Sequence, residues 1–395
     1  MSSILFVVTE LRMGGRERVV TQIAEAFRKK GWDSAIFSTW IRTPFFPTDV
    51  PVVFEDSDEL VSEPRVTGKL SVVTLGSKFT SIKNGMFFVA KKLFNYQFLQ
   101  KKRLAALLDV IEKRNVETVI LTDLTITFAK RIRERFPNIK IVGWVHMEAD
   151  PFFNNQYKDF KKELLAGVSN IDKLIGLTEK QSQDFSKYTG ADTVRIPNPM
   201  PEPAYQEVNP NVVKNESNLL VVARIDIHHK GLDMLIDILA RVESEWTLTL
   251  IGDGELKDVL KLKKMIENAG ISHRIRLLGK MDGVQLRDIY STGMVFLMTS
   301  RYEGFPMAIG EALSSGLPVI SFDLEGVQEA AGSSYEKVSS YDLNEFAKKI
   351  DALLSNPNRR QELSRAAIQR STTFSIERVV GRWIEVLESI KNKMD

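Results

Sequence analysis

The sequence predicts an α/β protein of two domains, each built on a parallel sheet with helices on both faces. Three observations carry this expectation. Short apolar runs of strand length alternate with amphipathic runs of helix length through most of the 395 residues, which is the pattern of β–α–β units. The alternation breaks once, at Ile196-Pro-Asn-Pro-Met-Pro-Glu-Pro, where four prolines within seven residues (197–203) and the polar stretch Gln206–Asn218 read as a linker. The chain also exceeds one ordinary core, so two domains of roughly 200 residues each are the natural division.

In the first half, Ile4–Val8 reads as a strand, Glu17–Lys30 as a helix stopped by Gly31, and Ser34–Ser38 as the next strand. After a less regular stretch come a helix at Lys101–Arg114, a strand at Thr118–Leu121, a helix at Thr127–Phe136 and a strand at Ile139–Val145; Lys173–Leu177 opens another strand–helix pair. Beyond the linker the order is strand Asn218–Ala223, helix Gly231–Arg241, strand Thr247–Gly252, helix Glu255–Ala269, strand Ile275–Gly279, helix Gly283–Ser291 and strand Met294–Met298. Thr299–Phe305 then turns the chain, and Pro306 fits the first position of a helix, where its missing N–H costs nothing. Gly316 and Pro318 stop that helix after about Ser315, and Val319–Phe322 is a further strand. Phe374–Lys391 is a long amphipathic helix containing Trp383.

Composition narrows the function. Hydrophobic content of 43% and charged content of 27% describe a globular protein. The absence of cysteine excludes disulfides and thiolate metal sites and fits a reducing cytoplasm. Ile4–Val8 is too short for a signal peptide, and no run approaches the ~20 apolar residues of a membrane span. The net charge of +3 conceals a positive first half and an acidic second half. Nine basic residues and no acidic one lie between Arg65 and Arg103, among them Lys83, Lys91, Lys92, Lys101, Lys102 and Arg103, interleaved with Phe79, Phe87, Phe88, Phe94, Tyr96 and Phe98. Such a segment suits an anionic membrane surface; the alternative is a core helix with a solvated basic face. No nucleic-acid module accompanies it.

The most informative stretch is Ser300–Val319, with Glu303 and Glu311 eight positions apart around Gly304-Phe305-Pro306. A carboxylate before a helix N-terminus can meet ligand hydroxyls while the free N–H groups meet an anion, and a second carboxylate two turns on can hold another hydroxyl pair. The ligand expected is one with phosphate and vicinal hydroxyls, such as a nucleotide sugar. Gly14 and Gly15, between the first strand and helix, let a ligand approach the backbone, although no Gly-x-Gly-x-x-Gly dinucleotide fingerprint is present. Arg224 and Lys230, on a strand-to-helix loop, could pair with a diphosphate; a solvated loop is the competing reading. His146 lies at a strand end, where open α/β sheets place ligands, and a structural histidine is the plainer alternative. His228 and His229 are too isolated for a metal site in a chain with four histidines. Asp56-Ser57-Asp58 reads as a solvated acidic loop.

Together these residues resemble the Glu-x7-Glu retaining glycosyltransferases of the GT-B fold, the family-four clan, over essentially the whole chain. Gly14-Gly15-x-Glu17-Arg18 is similar to the clan's glycine loop, and Arg224…Lys230 to its diphosphate pair. Gly252, Gly254 and Leu278-Gly279 fall where the clan borders the nucleotide, and Asn198 matches the interdomain Asn. There are departures: Ala223 stands where Gly often precedes the Arg, and Pro199 follows Asn198.

The resemblance implies two Rossmann-like domains facing across a cleft, residues 1–198 and 199–373, with helix 374–395 crossing back to the first. It implies that Glu311 binds the ribose, that Glu303 with the N–H groups of Phe305, Met307 and Ala308 faces the sugar and phosphate, and that His146 assists at the reacting centre. Arg224 and Lys230 would neutralise the diphosphate, so no metal or other cofactor is expected. The activity implied is retaining transfer of a hexose or N-acetylhexosamine, from UDP most readily, to a lipid-linked or cell-surface glycan, by a cytoplasmic enzyme peripheral on the inner membrane face. The alternatives are a non-hydrolysing sugar-nucleotide epimerase and a non-catalytic GT-B partner subunit.

Overall fold

The computed structural model describes residues 2–11, 14–39, 46–54, 96–203, 217–281, 283–339 and 341–390. Two parallel sheets organise them. The first contains β1 (Ser3–Val8), β2 (Asp33–Ser38), β3 (Val52–Phe54), β4 (Thr118–Thr122), β5 (Lys140–Trp144), β6 (Lys173–Gly176) and β7 (Thr193–Arg195), in the order β3-β2-β1-β4-β5-β6-β7. Its helices are α1 (Gly15–Lys29), α2 (Tyr96–Lys113), α3 (Ala129–Arg135), α4 (Lys161–Val168) and α5 (Glu179–Thr189). The second sheet contains β8 (Asn218–Val222), β9 (Thr247–Ile251), β10 (Ile275–Leu277), β11 (Val295–Met298), β12 (Val319–Phe322) and β13 (Glu336–Val338), in the order β10-β9-β8-β11-β12-β13. Around it lie α6 (Leu232–Leu239), α7 (Leu256–Asn268), α8 (Gly283–Thr292), α9 (Met307–Ser314), α10 (Glu325–Ala331), α11 (Leu343–Ser355) and α12 (Pro357–Ser371).

The central strands read as unbroken apolar runs because both sheet faces are covered. Every residue of β1, β4 and β11 is buried. One hydrophobic cluster continues from β1 and α1 through Trp144 and Met200 to Phe296, Phe305 and Ile309, so the two sheets share a core along their seam. The C-terminal helix, α13 (Ile376–Ser389), belongs to that seam. Its Trp383 is fully buried against Trp144, ring centroids 4.9 Å apart and nearly perpendicular, and Lys140 Nζ donates to the Leu387 carbonyl at 2.9 Å. The helix thus crosses back to the first sheet, and the Met200 N–H donates to the Phe374 carbonyl at 2.8 Å beside the crossing.

Strand order reverses between β1 and β4 in one sheet and between β8 and β11 in the other. Open α/β sheets bind ligands at such switch points. Here the two switch points face each other.

Some elements depart from the sequence expectation. Pro306 is the N-cap of α9 and not its first residue: its ψ of 112° is extended, and its carbonyl accepts from the Ile309 and Gly310 N–H groups at 3.1 and 3.3 Å. The helix expected at Thr127–Phe136 is split, because a 3-10 stretch at Asp123–Phe128 precedes α3. β3, β7 and β13 were not distinguished in the sequence; each is an edge strand of three residues, too short to show a period of two.

Candidate active site

Five loops converge around the facing switch points: those after β1, β4 and β5 in the first sheet, and after β8 and β11 in the second. After β11, Glu303 is held from two sides. Lys230 Nζ lies 2.6 Å from its Oε1, and the Ser300 hydroxyl donates to the same oxygen at 2.6 Å. The side chains of Lys230 and Glu303 are 18% and 10% exposed. The first-turn N–H groups of Met307 and Ala308 follow at the start of α9, where no intrahelical carbonyl can satisfy them. One helix turn further, Glu311 is buried; the Tyr290 hydroxyl donates to its Oε2 at 2.8 Å, and Arg18 of the opposite domain pairs with its Oε1. Burial beside Glu311 pushes the Tyr290 hydroxyl well above its ordinary pKa, so it remains a donor.

The loop after β8 carries Arg224, which is exposed and paired with Asp226 at 3.2 Å. The glycines expected to border a nucleotide seat this loop. A Cβ on Gly252 would lie 1.8 Å from the Ala223 carbonyl oxygen, and one on Gly254 2.1 Å from that of Ile225. His229 also belongs to the loop, stacked on Tyr302 at 4.2 Å. Its Nε2 lies 3.1 Å from the Tyr302 carbonyl and its Nδ1 3.4 Å from Arg224 Nη2. A carbonyl can only accept and a guanidinium only donate, so the ring is neutral with its proton on Nε2. Burial, then Lys230, lower its pKa in the same direction.

From the first domain, the Gly14-Gly15 loop starts α1, and a Cβ on Gly15 would lie 3.3 Å from Met307 Cγ across the seam. Gly304 is closer still: its Cβ would lie 2.8 Å from the His146 carbonyl oxygen. The seam therefore brings His146, Gly15, Glu303 and Glu311 into one region. His146 follows β5, with its ring 4.6 Å from Trp144. The His146 N–H donates to Asp123 Oδ1 at 3.0 Å, Nδ1 lies 3.4 Å from Asp123 Oδ2, and Nε2 has no partner among the described residues. Arg16 Nη1 lies 2.9 Å from Asp123 and pairs with Glu17 as well. Burial alone would raise the Asp123 carboxyl; His146 and Arg16 outweigh it and hold its pKa at about 2. Asn198 is buried beside the linker, its carboxamide oxygen unpartnered among the described residues.

Sequence reasoning missed several members of this arrangement. Asp123 carried one signal, an acid at the end of an apolar strand. Arg16, Tyr290 and His229 carried none, because their partners are 107, 21 and 73 residues away. The basic aromatic segment is mostly beyond reach: Lys83, Lys91 and Lys92 lie outside the described residues. Lys101 and Lys102 are exposed. Arg103, expected on the same surface, is buried. Among the described residues, no helix is long and apolar enough to cross a membrane, and no cluster of three His, Asp or Glu side chains is placed to hold a metal ion.

Two parallel-sheet domains opposed at their switch points, with a C-terminal helix returning to the first, define the GT-B fold. Residues 206–370 match the family model described as glycosyl transferases group 1. An uncharacterized glycosyltransferase of Haemophilus influenzae is 22% identical, covering 97% of this chain and 98% of its own. The fold is shared with HepE of Anabaena, solved in complex with UDP (TM-score 0.73, 16% identity, covering 98% of this chain and 100% of that one). It is shared also with WaaG, a glycosyltransferase involved in lipopolysaccharide biosynthesis (TM-score 0.68, 14% identity, the same coverages).

Proposed function

We propose that the protein is a retaining, metal-independent hexosyltransferase that moves a hexose or N-acetylhexosamine from a UDP-sugar to a lipid-linked or cell-surface glycan. The observation that carries this reading is the pairing of Glu303 with Lys230 beside Arg224, opposite His146, at facing switch points. In the reaction, the bond between the anomeric carbon and the phosphate oxygen breaks as the acceptor hydroxyl attacks from the same face. The departing diphosphate takes the acceptor's proton. Arg224 and Lys230 stabilise the charge developing on it, usually the largest catalytic term, and the N–H groups of Phe305, Met307 and Ala308 add donors at the α9 start. Glu303 and His146 face the transferred sugar, and Glu311 accepts from the ribose hydroxyls. Gly14 and Gly15 let the first domain close on the donor, and closure excludes water that would hydrolyse it.

The UDP complex of HepE and the lipopolysaccharide role of WaaG support the choice of donor and acceptor class. The basic aromatic segment supports a peripheral position at an anionic inner membrane face. The test is a panel of nucleotide sugars incubated with and without membrane lipid extract, following nucleotide release and product anomeric configuration. Acceptor-dependent release with retention is expected, unaffected by chelators and abolished by Glu303→Ala. Release of an epimerised nucleotide sugar without acceptor would overturn the proposal.

A further inference from the structure

The pairing of Arg18 with Glu311 joins the first turn of α1 to α9 across the seam. An ionised carboxylate offers about four lone-pair sites. On Glu311, Tyr290 uses one at Oε2 and Arg18 one at Oε1. Two sites remain, the number a ribose diol needs. Arg18 therefore need not leave when a nucleotide arrives. It fixes the carboxylate through the oxygen that Tyr290 does not hold, and it does so only when the two domains are together.

We propose that Arg18 is a positioning residue of the donor site: it holds Glu311 in the orientation that captures the ribose diol, so tight nucleotide capture requires the acceptor domain. The geometry favours this over a competing latch. Glu311 is more buried than Arg18, with side chains 11% and 27% exposed, and Tyr290 already fixes its second oxygen, so a nucleotide meets a carboxylate whose rotamer is set by both domains. The inference rests on the reading that Glu311 binds the ribose.

The test is calorimetric binding of UDP and of 2′,3′-dideoxy-UDP to the wild-type chain and to Arg18→Ala, Arg18→Lys, Glu311→Gln and the Arg18→Ala/Glu311→Gln double variant. Loss of a charge-assisted partner should weaken UDP binding by Arg18→Ala about tenfold. Binding of the dideoxy nucleotide should be unchanged, Arg18→Lys should recover part of the loss, and the double variant should bind like Glu311→Gln alone. A general loss of fold would weaken both nucleotides equally and would count against the proposal. Unchanged or tighter UDP binding by Arg18→Ala, with Glu311→Gln still weak, overturns the role of Arg18 and leaves that of Glu311 intact. Wild-type UDP affinity in Glu311→Gln overturns the ribose reading and this inference with it.

Discussion

Replacing Lys230 by Met, Glu303 by Met, and both together separates what this ion pair contributes to folding from what it contributes to chemistry. Methionine keeps the length of either side chain, so packing is nearly conserved and charge is removed. In the wild type the ammonium is 2.6 Å from a carboxylate oxygen that also accepts from Ser300, and both side chains are more than four-fifths buried. Removing one member leaves a desolvated charge without its partner. The cost of breaking a buried pair is ~3–5 kcal/mol, and the residual exposure of Lys230 puts this pair at the low end. At ~2–4 °C per kcal/mol for a domain of about 200 residues, each single variant should melt about 6–12 °C below wild type. The double variant should recover much of that loss, because a neutral, well-packed replacement of a buried pair is often close to neutral. Scanning calorimetry and denaturant titration measure the cycle. Additivity of the two single losses within about 0.5 kcal/mol would refute the reasoning. Transfer activity should be lost in all three variants, so stability and activity part company in the double.

Three further outcomes are expected. The Asp123 pKa of about 2 lies below its ordinary 3.8, so its contribution is present above about pH 4 and fades as pH falls toward 2; acid titration should show a wild-type advantage over Asp123→Asn of about 2 kcal/mol that disappears across that window. Gly304→Ala places a Cβ 2.8 Å from the His146 carbonyl; a seam displaced by about 1 Å should cost on the order of 100-fold in kcat, with UDP binding within threefold of wild type by calorimetry. Trp383→Ala removes a fully buried ring from the C-terminal helix, and a loss of about 3–5 kcal/mol should appear in denaturant unfolding.

What was legible in the sequence follows from the range of the forces involved. Apolar periodicity is local, so β1, β4, β8, β9 and β11 could be placed within a residue or two, and the Pro-rich break marked the passage between the sheets. Glu303 and Glu311 were legible because the turn and helix that present them are coded in the same twenty residues. Their partners were not. Lys230 is 73 positions from Glu303 and Arg18 is 293 from Glu311, and nothing near either basic residue states which carboxylate it will meet. The same limit applies to Gly252 and Gly254. The resemblance puts them where the clan borders the nucleotide, and their missing side chains also let the backbone of Ala223 and Ile225 come close, a packing relation no local pattern states.

The ion pairs of the seam are not equivalent, and the difference orders the proposed capture of the donor. Arg224 pairs with Asp226 at 3.2 Å while 64% exposed, and an exposed pair is worth only about 0–1 kcal/mol. Exchanging that partner for a diphosphate would cost little, so under the proposed mechanism Arg224 is the cation that yields first to a donor. Lys230 can turn from Glu303 only when another anion takes its place, because an unpaired buried ammonium is costly. A diphosphate held by Arg224 is such an anion. On the proposed mechanism its arrival would release the Lys230 contact at Glu303 Oε1, where Ser300 still donates, and so restore the carboxylate's full charge toward the sugar hydroxyls. A sugar lacking the diphosphate would meet a Glu303 whose charge Lys230 still neutralises at Oε1, so under the proposed mechanism the pair favours the activated donor.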